Sequence, residues 1–255
     1  MSPTVSIVTV VYNGSSTLAQ TIESVLSQTY PHLEYIVVDG ASRDNTVDII
    51  RCYEGQIAQW VSEPDQGIFD AMNKGLRLAT GDIVGILNAD DFYEDAHVIG
   101  KVVALFERER VEALYGDLFY VDADDPKKII RYWKAESYRE NAFRRGWMPP
   151  HPTFFVKRTV YQQYGLFNDC FRYSADYEMM LRLIYKHHIR MAYLPEVMVR
   201  MRIGGNSNQS WKSRLLANRE DRLAWALNDL QPAFYTMWLK PLRKLYQYLG
   251  RPENQ

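Results

Sequence analysis

Short unbroken apolar runs alternate, over the N-terminal part of the chain, with longer stretches whose apolar residues recur every three or four positions. Residues 6–11 form a β-branched run that stops at Tyr12-Asn13-Gly14, a turn signal. Residues 17–28 follow with Leu18, Ile22, Val25 and Leu26 at the spacing of one helical face. A second buried strand is predicted over 35–38, closed by Asp39-Gly40, and Asp44-Asn45-Thr46 reads as a helix start. Residues 59–61 read as a third strand, 68–78 as a helix and 83–87 as a fourth strand. Repeated βα units predict an α/β protein: a mostly parallel central sheet with helices on both faces. Beyond Asp95 the pattern loosens into a helix over 99–106, a strand over 113–115, a charged loop over 121–128 and a short strand over 153–156. Asp122, Asp124 and Asp125 in that loop lack the glycine and distal glutamate of a calcium loop, and they read as a solvated turn.

Each early strand ends in polar or acidic residues: Tyr12-Asn13, then Asp39, then Glu63 with Asp65, then Asp90-Asp91. In open α/β sheets, ligands collect in the crevice beyond the carboxyl ends of the strands. Adjacent carboxylates repel unless a positive charge sits near them, and a divalent metal is the usual answer. Asp39 has the chemistry to accept a hydrogen bond from a base N–H, whereas phosphates need cations; a bridging metal therefore explains Asp90 and Asp91 better. Neither Gly-x-Gly-x-x-Gly nor a Walker phosphate loop follows the first strand.

At 255 residues the chain is one large domain or one domain with an appendage. A formal net charge of −1 offers no global argument for nucleic acid. Two cysteines, Cys52 and Cys170, are too few for a disulfide framework. With no signal-peptide pattern, a reducing cytoplasm is the expected location. No apolar run reaches the ~18 residues that span a bilayer.

The run Ser6-Ile-Val-Thr-Val-Val-Tyr-Asn13, then Val37-Val-Asp-Gly-Ala-Ser-Arg-Asp-Asn-Thr46, resembles the opening of family 2 glycosyltransferases. Glu63-Pro-Asp-Gln-Gly-Ile-Phe-Asp-Ala-Met-Asn-Lys-Gly75 and residues 81–91 are similar to its next motifs, and the likeness continues more weakly to about Ser207. The resemblance implies a GT-A fold, a nucleotide-sugar donor, and a divalent metal, Mn²⁺ or Mg²⁺, at an Asp-x-Asp-like site. On that likeness Thr9 and Asp39 face the base and Asp90 the ribose, while Asp91 meets the metal and diphosphate. Asp44 and Asp65 line the nucleoside pocket, with Tyr12 and Asn13 beside them. Many members carry an arginine where Met72 stands, so its contribution falls to another residue, with Lys74 the candidate.

Inverting transfer needs a carboxylate that takes the acceptor hydroxyl proton. Asp176 precedes an apolar helical stripe and by spacing reads as a helix N-terminal acid. Its match to the family's second acidic motif implies the catalytic base, with Ala175 replacing the usual Glu and Glu178 the alternative base on the acceptor side. His151, in Pro150-His-Pro-Thr-Phe-Phe155, is similar to a histidine that contacts acceptor or diphosphate, and a loop cap explains it equally. Arg202 and Ser207 match a late element that closes over the diphosphate, where Gly204 replaces a histidine.

From Trp211 the chain reads as helical, with Leu215, Leu216, Leu223 and Trp225 as its apolar face. Residues 234–251 mix aromatics with Lys240, Arg243, Lys244 and Arg251 and contain no acid. An interfacial helix on an anionic membrane fits this pattern, and so does a helix packed on protein. The expected organisation is a nucleotide-sugar half over 1–105, an acceptor and base half over 106–208, and a helical arm over 209–255. The resemblance implies a metal-dependent, inverting transferase that moves one sugar, from a UDP-sugar first, with GDP and dTDP open. The acceptor is a glycan or a lipid-diphosphate-linked glycan, in bacterial surface polysaccharide synthesis at the inner face of the cell membrane. A polyprenyl-phosphate glycosyltransferase and a catalytically silent nucleotide-sugar- or glycan-binding protein are the rival readings.

Overall fold

Every residue of the first strand is buried, because helices cover both faces of the sheet around it. The computed structural model of the chain describes residues 2–204 and 211–246, with side chains for 2–204, 216–240, 242 and 243. In chain order the elements are β1 (Val5–Val11), α1 (Leu18–Leu26), β2 (Leu33–Asp39), α2 (Thr46–Cys52), β3 (Gln59–Ser62) and α3 (Ile68–Leu78). Then come β4 (Ile83–Ile86), β5 (Asp91–Tyr93), α4 (Val98–Glu109), β6 (Ala113–Val121), β7 (Ile129–Trp133) and β8 (Phe155–Lys157). The chain continues with α5 (Arg158–Tyr164), α6 (Ala175–Met180), β9 (Met191–Arg202), α7 (Trp211–Leu227) and α8 (Thr236–Tyr246).

The nine strands form one sheet in the order β3-β2-β1-β4-β8-β6-β9-β5, with β7 on the side of β6. Following the pairings, six strands (β1 to β4, β6 and β9) run the same way and three run against them. The sheet is mostly parallel with helices on both faces, as the βα alternation predicts. Successive side chains of a strand point to opposite faces. Val8, Val10, Ile36 and Val38 pack under α3 and α6, while Ile7, Val11, Tyr35 and Val37 pack under α1 and α4. Among the described residues no helix is long and apolar enough to cross a membrane.

The second half departs from its sequence-based outline. β6 runs on to Val121, and the unpredicted β9 lies parallel beside it over nearly its whole length. The register shifts where Gly116 pairs with Leu194 and Asp117 with Val197, so Pro195 and Glu196 bulge out of the ladder. Proline has no N–H to give the ladder, so a bulge is where a strand accommodates it. A Cβ on Gly116 would lie 2.4 Å from the Met198 sulfur, which leaves room only for glycine. The expected strand over 153–156 begins at Phe155, because His151–Thr153 is a 3₁₀ turn. The apolar face expected for α7 is also corrected. Trp225 is buried as expected, but Leu216 and Leu223 are exposed and Leu215 lies outside the described side chains; Asp221 and Ala224, with Asn228 just past the helix, share the buried side with Trp225. Polar Asp221 and Asn228 are inside because each has a partner there, Lys240 and Glu178 respectively.

α3 rides directly on β1. A Cβ added at Gly75 would sit 2.2 Å from Val8 Cγ1, whereas one at Gly55 meets nothing within 4 Å. Gly75→Ala is expected to cost about 1–3 kcal/mol through overpacking and to lower the urea midpoint, with Gly55→Ala as the near-neutral control. Equal midpoints for the two variants would contradict this contact.

Candidate active site

Sheet register brings the strand ends together. Val11 pairs with Asp39 and Asp39 with Ser62, while Asp91 pairs with Met201 and Val121 with Arg202. Tyr12, Asp39, Glu63, Asp65, the 88–91 turn and Arg202 therefore share one edge of the sheet, the edge where α/β proteins bind ligands.

One side of this edge is two loops tied to each other. Asn13 sits at φ 52°, in the left-handed region that asparagine tolerates. Its backbone N–H donates to Ser42 Oγ at 2.7 Å and its Oδ1 accepts the Arg43 N–H at 2.8 Å. Asp44 accepts the backbone N–H groups of Ser15 at 3.1 Å and Thr46 at 3.0 Å, and the Thr46 hydroxyl at 2.5 Å. Desolvation opposes these bonds, yet those from Thr46 and Ser15 prevail and hold the Asp44 carboxyl down at about 2. Asp39 is fully buried and accepts the Ser42 N–H at 3.1 Å, the Ser62 hydroxyl at 2.6 Å and a short bond from the Ser42 hydroxyl. Gly40 is the meeting point of the rim. A Cβ there would lie 2.2 Å from Asp65 Oδ2 and 3.5 Å from the exposed Tyr12 ring.

Two expectations change here. Thr9 does not face a base: it is fully buried on the side of β1 under α1 and α4, and the Tyr35 hydroxyl donates to its Oγ1 at 3.1 Å. Lys74 is committed to the rim rather than free for phosphate. Its Nζ donates to the Pro64 carbonyl at 2.7 Å and pairs with Glu63 at 2.9 Å and Asp70 at 3.7 Å. Met72, beside it in the chain, is core.

The centre of the edge is the turn from Asn88 to Asp91, closed by the Asp91 N–H donating to the Asn88 carbonyl at 3.0 Å. Asp91 is fully buried, its Oδ1 has no hydrogen-bond partner, and neither has Asn88 Oδ1. Burial first, then the neighbouring Asp90 charge, push the Asp91 carboxyl well above the usual carboxylate range, against the pull of Arg202 and Asn88. Burial also raises Asp90, with Arg202 opposing. The Arg202 guanidinium donates to the Asp90 carbonyl at 2.5 Å and makes a short bond to Gln20 Oε1. Among the described residues no group of three or more His, Cys, Asp or Glu forms a complete metal cage. Two carboxylates and two unpartnered buried oxygens fit a cation that takes its other ligands from phosphates and water. Ser207 lies outside the described residues.

The other wall carries the acceptor-side candidates. Thr153 Oγ1 donates toward the Gly116 carbonyl, 2.9 Å away, and the Pro150 carbonyl, 3.0 Å away, fixing the turn that holds His151. The buried His151 ring meets Phe167 edge-on at 5.7 Å, and Phe167 is itself pinned by Asn73 through two 2.9 Å bonds to its backbone. Half-buried Asp176 starts α6 and lies close enough to act on the charge of His151. Glu178 is not free to serve as the alternative base. It is buried in an ion pair with Arg182 at 2.9 Å and accepts from Asn228 at 3.0 Å.

Asn88 and the polar edge of α1 were missed by the sequence reading. Thr21 Oγ1 donates toward the carbonyls of Ala89 and Asp91, Ser24 Oγ accepts the Tyr93 N–H, and Gln28 bonds Asp95 and Ile99. The spacing of Gln20, Ser24 and Gln28 at four residues, with Thr21 alongside, was the available signal. Burial lowers the His151 imidazole below its ordinary value, with Asp176 opposing. A depressed histidine adds stability above its unfolded value, about 6.5, and that contribution is lost as pH falls through the folded value. Wild type is therefore expected to lose stability relative to His151→Gln between neutral and acid pH. Parallel urea midpoints across that range would contradict it.

The chain matches the family model described as Glycosyl transferase family 2 over residues 6–173. It is 34% identical over 184 residues to an uncharacterised glycosyltransferase of Mycobacterium tuberculosis, covering 71% of this chain and 69% of that one. It is 28% identical over 212 residues to a PGL/p-HBAD biosynthesis glycosyltransferase of Mycobacterium bovis, covering 81% and 80%. Among solved structures it resembles S. aureus TarS 1-349 in complex with UDP-GlcNAc, with TM-score 0.67 and 15% identity over 93% of this chain and 70% of that one. It spans 40% of a longer TarS chain. It also resembles the mannosyltransferase PcManGT of Pyrobaculum calidifontis in complex with GDP-Man and Mn²⁺, with TM-score 0.68 and 20% identity over 100% and 77%. The fold is that of the GT-A glycosyltransferases, and the chain belongs to glycosyltransferase family 2.

Proposed function

We propose that this transferase moves one sugar from a nucleotide-sugar to a hydroxyl of a glycan or lipid-diphosphate-linked acceptor, with inversion and with Mn²⁺ or Mg²⁺. The observation that carries this reading is the buried, unpartnered Asp91 Oδ1 beside Asp90 and Asn88, at the same sheet edge as the rim of Tyr12, Asp39, Asp44 and Asp65. A UDP-sugar is the first choice of donor, because the family resemblance favours it and TarS, with UDP-GlcNAc, shares the fold. GDP, as in the mannosyltransferase, is the next.

The rim receives the nucleoside, with Tyr12 as an exposed aromatic face and the acids as acceptors for base and ribose donors. Asp90, Asp91 and Asn88 would hold the cation, which when bound neutralises charge on the departing diphosphate. Arg202 adds a fixed positive charge at the same place. Asp176 takes the proton of the acceptor hydroxyl as that oxygen forms its bond to the anomeric carbon, while the bond to the diphosphate breaks on the opposite face. His151, held low by burial, is neutral beside it and orients the acceptor by hydrogen bonding.

Calorimetry separates the two halves of this reading. UDP is expected to bind only with Mn²⁺ or Mg²⁺ present, and Asp91→Asn is expected to remove the metal-dependent affinity. Asp176→Asn is expected to bind UDP as wild type does and to lower turnover of the UDP-sugar by about 10²–10⁴-fold. Metal-independent binding, or wild-type affinity in Asp91→Asn, would overturn the metal role. Binding of GDP or dTDP alone would replace the donor, and binding of none of the three would end the transferase reading.

A further inference from the structure

The C-terminal arm has two unlike faces. Its inner face grips the segment that carries Asp176. Glu220 on α7 accepts the backbone N–H groups of Arg172 at 3.0 Å, Tyr173 at 2.8 Å and Ser174 at 2.8 Å. Trp225 donates to the Tyr177 hydroxyl at 2.8 Å. Lys240 on α8 pairs with Asp221 at 2.7 Å and lies 3.7 Å from the centre of the Tyr177 ring. The arm and the start of α6 are therefore one piece.

The outer face is uncovered among the described residues. Phe234 is 92% exposed, Trp238 73% and Leu242 49%; Trp238 and Leu242, four residues apart, share one side of α8, and Phe234 lies in the turn that leads into it. Large apolar groups gathered on a surface mark an interaction site. Positions 209–255 hold eight Lys and Arg against four acids, in a chain whose total charge is −1, so the arm is basic and the body acidic. Glu220 and Asp221 are bonded as described above; Lys240 is paired with Asp221 and Arg243 with Glu136 at 3.0 Å, while Arg219 and Arg222 are exposed.

We infer that this face docks on an anionic lipid surface, with Phe234, Trp238 and Leu242 entering the interface and the net positive charge of the arm, including the exposed Arg219 and Arg222, drawing it to the headgroups. A second copy of the chain is the weaker occupant. A two-fold contact sets the same patch against itself and would bring two basic arms together. Because the inner face of the same helices grips residues 172–178, docking sets Asp176 at a fixed height above the lipid. That suits an acceptor tethered to lipid; this consequence rests on the transferase reading, and the docking does not.

The test is co-sedimentation of the full chain with phosphatidylcholine vesicles and with phosphatidylcholine–phosphatidylglycerol vesicles. Wild type is expected to sediment with the second, less with the first, and less again as salt is added. The double variant Phe234→Ser, Trp238→Ser is expected to lose roughly tenfold or more of that binding while binding UDP as wild type does. Three outcomes overturn the proposal: no vesicle binding by wild type, equal binding by the double variant, or a wild-type dimer in light scattering that the double variant abolishes. If vesicle binding follows the expected pattern while no nucleotide binds, the transferase reading falls and the docking surface stands.

Discussion

A carboxylate without enough partners, Asp91, opens β5 just past the end of β4, and much of the surrounding architecture bears on it. Burying an ionised carboxylate costs several kcal/mol unless charge or hydrogen bonds compensate, and Asp91 is fully buried with one oxygen unpaired. Its neighbour Asp90 adds repulsion, and Arg202 at the far end of β9 supplies the compensating positive charge. That arrangement needs β9 to run its full length beside β6, and β5 to add itself to the outer side of β9. The bulge at Pro195 and Glu196 keeps the long strand in register on both sides of a proline. α1 contributes the remaining restraint, since Thr21 and Ser24 hold the backbone on which both carboxylates sit. The proposed cation would complete a site built with a deficit of positive charge.

The wall that carries Asp176 follows a different logic, in which apolar packing and borrowed caps replace charge. Ser174 precedes α6 without capping it by its own side chain. Glu220, from a helix that begins after residue 210, instead accepts the N–H groups leading into that turn. Tyr177 and Glu178, next to Asp176, are held by Trp225 and by Arg182 with Asn228. The candidate base thus stands at the edge of a rigid block while its own carboxylate stays half-buried. His151 is reached by a parallel chain of contacts, from Asn73 to Phe167 to the imidazole, so α3 helps to shape both walls of the crevice.

Much of the first half was legible from sequence because its determinants are local. Strand-length apolar runs, turn residues and three-to-four spacing identify β1 to β4 and α1 to α3 within a few residues of their observed bounds. The gathering of Tyr12, Asp39, Asp65, Asp90 and Asp91 at one edge follows from parallel strands alone, since every such strand ends on the same side. What escaped was long-range. β9 is not legible as a strand because its proline and its charged residues break the alternation, and only pairing with β6 and β5 stabilises it.

Within the site the same division holds. Sequence singled out the residue types, but not which of them would be consumed by neighbours. Thr9 lost its expected role to Tyr35, Glu178 to Arg182 and Lys74 to Glu63, and each of those exchanges joins residues from separate parts of the fold or from successive turns of one helix. The order of strands and the chemistry available at their ends were determined by the chain itself, through backbone periodicity and the handedness of βα units. Which carboxylate is left unpaired, which stays half-buried at the opposite wall, and which apolar side chains stay in water were decided by tertiary packing. A side chain's free valence depends on partners distant in sequence, and no local pattern carries that information.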